Sequence, residues 1–295
     1  MFRTFYSLLI ISTTLAGAQP EELQEQLESI YANWRHSIQT HNDVLWKKVT
    51  ASHRQAAVKN RLLSEKKRFP ADIFNLPALP PVIKNLKCLT IKRSGPTAKA
   101  YYFGKIDFGI GGNPADNLLV LSYVGAGNSW QFDQMEYINL ALLPDTKKQL
   151  AAGQLDYLEK TQELLPSGVI PPTPVEIGKV EYIAKVYAYC PGREIQVQIN
   201  GTSKHLFQDA QDAQLVIGGA KHGRNEIQYA VKKLIDANFK DPMTVRVYIM
   251  SEVEGVKPVK IYEHLVPEGQ QPEGFGRGTF VIDDQIRNRL LGIAR

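Results

Sequence analysis

From Glu21 the apolar residues fall at Leu23, Leu27, Ile30, Trp34 and Ile38, with Tyr31 beside them. Steps of three and four put them on one stripe of a helix, and that stripe must pack against another element. "THND" interrupts the pattern, and Asn42 or Asp43 suits the cap of a second helix carrying Leu45, Trp46 and Val49. Ser52 starts a third, "HRQAAVKNRLLSEKKR". The prolines of "FPADIFNLPALPP" end this helical part, since proline lacks the N–H that a helix interior needs and drives its predecessor to extended geometry.

Beyond them the chain turns to strand-like runs. "LKCLTIKR", "KAYYFGKIDF", "NLLVLSYV" and "SWQFDQMEYINL" are rich in β-branched and aromatic residues and are separated by Gly, Pro and Asn. "GAGN", residues 125–128, predicts a hairpin between the last two. Residues 141–167 read as a helical connector with Leu155, Leu158 and Leu165 available for packing, and "GVIPPTPVEIG" as a semi-rigid extended linker. From Val175 the period is two: "VEYIAKVYAYC", "EIQVQING", "AQLVIGG", "NEIQYAVKKL", "TVRVYIMSEV" and "KIYEHLV" predict six closely spaced strands of an antiparallel sandwich. Asn200-Gly201 supplies a two-residue hairpin turn, because both residues tolerate positive φ.

The fold class expected is therefore α+β: N-terminal helices on a curved antiparallel sheet, then an all-β antiparallel sandwich. Helix followed by sheet, carried by the first helix with Trp34, by "NDVLWKKVT" and by the closing strand "GNSWQFDQMEYI", resembles the cone-shaped ketosteroid-isomerase and polyketide-cyclase superfamily over residues 21–140. "VQINGTSKHLF" and "GGAKHGRNEIQYAV" resemble immunoglobulin-like or jelly-roll modules of exported bacterial proteins. The expected partition is a signal peptide at 1–18, a cone-like domain at 19–140, a connector and linker at 141–174 and a sandwich at 175–295.

The leader has Arg3, an apolar run from Phe5 to Leu15, and small residues before Gln19-Pro20, the three-part pattern of a secretory signal cut after Ala18. Its apolar run is too short for a membrane span. Ala18 stands where a lipid-anchored protein would carry Cys, so a soluble periplasmic or secreted product is expected. Removing 18 of 295 residues leaves 277 and lowers the formal charge from +5 to +4, through loss of Arg3. Such a balance suits weak attraction to anionic polymers. The cations crowded between Lys47 and Arg68 read as a solvated helix face, and nucleic acid is not an expected partner. Cys88 and Cys190, in different predicted domains, read as free buried thiols.

Gly218 and Gly223 have the spacing of a phosphate-binding loop, but Arg224 and Asn225 replace the lysine and hydroxyl residue, and Ile227, Tyr229 and Val231 alternate as a strand. A turn is the better reading. His205, Asp209 and Asp212 read as a hydrated turn, not a metal site. No cofactor motif, nucleophile elbow, HExxH pair or paired-cysteine ligand set is present. "NGT" at Asn200 fits a glycosylation acceptor, but reads better as the hairpin turn.

Enzymes of the resembled superfamily move a proton with a carboxylate or histidine in the mouth of the cone, aided by a phenol or acid facing a developing oxyanion. The resemblance directs attention to Asp107, Asp133, Tyr101, Tyr123 and Tyr137 on strands and to His36, His41 and Asp43 on or between helices. Asp133, Asp107 and Tyr137 are the catalytic candidates. Alternation puts Asp133 on one face with Met135 and Tyr137, opposite Trp130 and Phe132, leaving open which face lines a cavity. No catalytic motif of the superfamily maps residue by residue onto the chain. The leading expectation is a binding or interaction protein of the cell envelope, its partner a small apolar ligand or an envelope protein or polymer, with a homodimer through the sheet face as a further possibility. The alternative is a small-molecule acid/base enzyme of isomerase, cyclase or hydratase type.

Overall fold

The computed structural model describes residues 20–107, 114–127, 129–234 and 240–293. The predicted signal peptide lies outside the described residues. Among the described residues, six α-helices and three antiparallel sheets give the expected α+β fold, with a sheet-rich C-terminal part. The chain folds as two compact units. One holds the described residues through His36 together with Ala78–Ile170; the other holds Ser37–Pro77 together with Pro171–Arg295.

In the first unit, α1 (Pro20–Gln39), as far as His36, lies on a four-stranded meander of β1 (Lys87–Ser94), β2 (Thr97–Ile106), β3 (Ala115–Ala126) and β4 (Ser129–Asn139), ordered β1-β2-β3-β4. The stripe read from the sequence is the buried one: Leu23, Leu27 and Tyr31 pack on Ala98, Ala100, Tyr102, Leu119, Leu121 and Phe132. The opposite face carries Tyr101, Leu118 and Val120 and is covered by Leu140, by Leu150 of α4 (Pro144–Ala151), by Leu158 of α5 (Asp156–Lys160) and by Leu164. Residues 141–167 are thus a layer of this unit and not a free connector. With both faces covered, Asn117–Val124 of β3 are buried without interruption, the signature of a central strand enclosed on two sides. Each large apolar side chain so enclosed contributes roughly 1.5–3 kcal/mol. Among the described residues, both faces over β2 and β3 are covered within this unit.

The β3–β4 register shifts between Ser122 and Tyr123, which pair with Gln134 and Phe132, so Asp133 is the extra residue of a bulge. The bulge resets the alternation. Trp130, Phe132, Met135 and Tyr137 all face the α1 core, in place of the two opposed sets that strict period two predicts.

The second unit is a sandwich of two four-stranded antiparallel sheets. β5 (Ala184–Tyr189), β8 (Gln211–Leu215), β10 (Met243–Ile249) and β11 (Val259–Val266) form one, ordered β11-β10-β5-β8. β6 (Arg193–Ile199), β7 (Ser203–Gln208), β9 (Gly223–Lys233) and β12 (Phe275–Ile282) form the other, ordered β12-β9-β6-β7. Val186, Val245 and Val247 of the first meet Ile195, Val197, Ile227 and Phe280 of the second in a single core. A short helix, α6 (Asp284–Leu290), follows β12, capped where Asp283 accepts from the Ile286 N–H at 2.9 Å.

Helices α2 (Asp43–Val49) and α3 (Ser52–Ser64) belong to this same unit, whereas the sequence reading groups them with the N-terminal sheet. The reason is a set of bonds from α3 to distant chain. The Asn60 side chain donates to the Val175 carbonyl at 2.8 Å and accepts from the Ile177 N–H at 3.2 Å. Ser64 Oγ accepts from Gly218 N–H at 2.9 Å, and Lys59 and Lys66 pair with Glu176 and Glu252. The end of the predicted linker is therefore a strap pinned along α3. Asn42 caps α2 as expected, accepting from Leu45 N–H at 2.9 Å.

Candidate functional site

The three catalytic candidates are dispersed. Asp133 is buried at its bulge on β4. Asp107 is exposed, just past the end of β2. Phe132 pairs with Tyr123 and Tyr123 with Ala98, so Asp107 lies nine residues further along β2, about 30 Å at ~3.3 Å per residue. Those two carboxylates cannot share a substrate. Tyr137 donates its hydroxyl to Met135 Sδ at 3.0 Å, and burial pushes its phenol up to about 12. A shallow cleft of about 480 Å³ on this unit is lined by Glu25, Gln26, Ser29, Ile30, Ser129 and Trp130, and none of the three candidates borders it.

The interior that a cone would keep open is filled with rings. Trp34 and Phe132 lie 4.3 Å apart between centroids, and Tyr31 sits 5.9 and 5.8 Å from them. Tyr101 faces the other layer and donates to the Leu164 carbonyl. His36 is exposed in the last turn of α1, His41 stacks on Phe74 at 5.4 Å, and Asp43 pairs with Lys47 at 2.9 Å within α2.

One polar cluster in this core has no counterpart in the sequence reading. Tyr102 donates to Glu28 Oε1 at 3.1 Å, and Gln24 Nε2 donates to the same oxygen at 2.8 Å. Burial, and then the Glu28 charge, hold the Tyr102 phenol and the Cys88 thiol above their usual ranges. Tyr31 and Tyr123 are raised chiefly by burial as well. Tyr102 is thus a neutral donor at physiological pH, fit to hold Glu28 in place. Glu28 escaped notice because it adjoins Leu27 on a helix whose remaining acidic residues face solvent.

In the sandwich, the glycine loop is a turn. Gly218, Gly219 and Gly223 have φ of +87°, +62° and +78°, and β9, not a helix, follows. Asn225 holds the loop closed, accepting from Lys221 N–H at 3.0 Å and donating to the Lys221 and Gly223 carbonyls. Asn200, φ +50°, forms the β6–β7 turn with Gly201, and its amide bonds Asn225 and Glu226. His205 is buried, with Nε2 2.7 Å from Ser203 Oγ and Nδ1 3.2 Å from Gln214 Oε1. Ser203, His205 and Gln214 are arranged in the order of a nucleophilic triad, but Ser203 is wholly enclosed and accepts from Ile217 N–H at 2.8 Å. Its oxygen has no path to a substrate, so the row is a structural tie between the β7 and β8 strands. Asp209 accepts from Gly192 N–H at 2.8 Å, and Asp212 is exposed on β8.

The outer face of the β12-β9-β6-β7 sheet carries a different arrangement. Its inward side chains build the core, leaving two parallel cross-strand rows on the surface. Phe275, Ala230, Gln196 and Leu206 form one row, and Arg277, Gln228, Gln198 and Lys204 the next. Phe275 and Leu206 are 55% and 53% exposed and stand three strand spacings apart, about 14 Å. Between them Ala230 is too short to fill the gap. The result is an open trough of about 400 Å³ lined by the three glutamines, Ala230, Phe275, Leu206 and Lys204, with Arg277 outside the lining but next to Gln228 across the strands. The sequence reading takes these segments only as period-two strands; the available signal is three glutamines at alternate places in "EIQVQI" and "EIQYA".

No family model, curated protein or solved structure matches this chain. Among the described residues no helix is long and apolar enough to cross a membrane.

Proposed function

We propose that the chain is an exported binding protein of the cell envelope, whose β-sandwich attaches it to an envelope polymer. The observation that carries this reading is the trough: a concave surface lined by hydrogen-bonding amides between exposed Phe275 and Leu206. Small-molecule and polymer sites combine apolar walls with a few convergent polar groups in this way. The packed rings of Tyr31, Trp34 and Phe132 support a binding role over acid/base chemistry, because they occupy the space in which a substrate would meet a carboxylate.

The test is sedimentation of the mature chain with envelope material divided into a protease-treated, lipid-extracted polymer fraction and a protein fraction. Retention on the polymer fraction is expected. Retention on the protein fraction alone, or on neither, overturns the reading.

A further inference from the structure

We infer that the trough on the β12-β9-β6-β7 face binds a short stretch of an acidic polysaccharide, running parallel to β9 and β6. This deepens the binding reading and rests on it. The floor groups are the amides of Gln196, Gln198 and Gln228. An amide side chain donates and accepts side by side, as a pair of neighbouring sugar hydroxyls does, so each is matched by an amide better than by a purely donating or accepting group. Phe275 and Leu206 offer apolar walls to the C–H faces of a sugar ring seated over Ala230.

Charge selects an acidic chain over a neutral one. One row along, Lys204 and Arg277 flank Gln198 and Gln228, and neither forms an ion pair among the described residues. They are placed to meet a carboxylate on the sugar next to the one held by the apolar row. Rows recur about every 6.6 Å along a strand, so each row accommodates one sugar unit. One row out at each end lies an acidic side chain, the one beyond the apolar row standing directly across from Lys232. Glu194, which accepts from Gln196 Nε2 at 3.1 Å, lies one row beyond the apolar row, and Glu226 lies one row beyond the cationic row. The floor of the trough spans the two rows between them, which suits a short segment. An extended peptide is the poorer occupant of the floor, because the N–H and C=O groups of β9 and β6 beneath it are used within the sheet on both sides.

The experiment is calorimetric titration of the mature chain with oligogalacturonate trimers, with neutral maltotriose and polyglutamate as comparison probes. Saturable binding of the oligogalacturonate is expected, weakening as salt rises and at least tenfold tighter than binding of either comparison probe. Gln228→Ala and Phe275→Ala should each weaken it at least tenfold, and Lys204→Ala with Arg277→Ala should remove its salt dependence. All four positions are exposed, so unchanged thermal midpoints should accompany the loss. Equal affinity for polyglutamate, preference for maltotriose, or binding that the four substitutions leave intact would overturn the inference. So would the absence of oligogalacturonate binding. If the envelope polymer fraction still retains the chain in that case, the binding reading stands and only the assignment of an acidic sugar chain to the trough falls.

Discussion

The hydroxyl of Tyr123 is enclosed by the α1-facing core and has no hydrogen-bond partner among the described residues. A buried polar group without a partner costs about 1–3 kcal/mol relative to its solvated state. Tyr123→Phe is therefore expected to leave stability unchanged or raise it by about 1 kcal/mol, read from the urea midpoint; a clear loss would show that the hydroxyl is satisfied after all. His205 gives a prediction in pH. Burial holds its imidazole below the ordinary histidine range, against a smaller opposing effect of the Gln214 hydrogen bond. The unfolded chain then takes up the proton first as pH falls, so the stability this group supplies is complete above about pH 6.5 and declines below it. His264, also lowered by burial, acts with the same sign. Urea midpoints measured from pH 8 down to 5 should fall, and His205→Gln should flatten the decline. Single residues also limit what periodicity reveals. Nothing in "WQFDQMEY" marks Asp133 as the inserted residue, because a bulge is fixed by the partner strand, and this one turned two predicted faces into one.

Helix α3 does more than supply a buried stripe. Asn60 serves the strap as a second strand would, bonding one carbonyl and one N–H of Val175–Ile177. Asn60→Ala removes both bonds at a buried position, with an expected cost of about 2–3 kcal/mol. The strap should then become the first site of proteolytic cleavage, which mass spectrometry of limited digests will locate. Helices with a 3.6 period and capped starts were legible in advance, as were the strands whose inward positions are Val, Ile or Phe. Strand β12 was not. Its "FGRGTF" places Gly276 and Gly278 inward, where a Cβ at Gly278 would come within 2.6 Å of the Tyr262 ring and one at Gly276 would run into Tyr229. The core there is filled by tyrosines from β9 and β11, so the strand that accommodates them shows no apolar alternation of its own.

Across the chain, the α+β class and the sandwich were legible because they follow from period and turn chemistry. The grouping of segments into units was not, since it depends on pairs far apart in sequence. Residues 37–77 read as the continuation of α1, and only the bonds from Asn60, Ser64 and Lys66 show where they pack. The trough was equally hidden, because the register that aligns three glutamines across two strands is not written in either strand alone. The thiols divide between the units: Cys88 is half-buried in the first and Cys190 buried in the second, and both are free. Burial raises both pKa values, so both react sluggishly. Thiol titration should find Cys88 modified well before Cys190 in the folded chain and both promptly after unfolding. A single fast-reacting thiol, or none in denaturant, would contradict that assignment.

Asn60 and Val175 are separated by 115 positions. A ribosome adding about 5–20 residues per second needs on the order of ten seconds to cover that interval. For that time the polar and apolar groups of α3 that later hold the strap have no partner, and the nascent helix must be shielded or remain unfolded. For the same reason a fragment started at Val175 would contain every strand of the sandwich and still lack the helix to which its first residues are fastened.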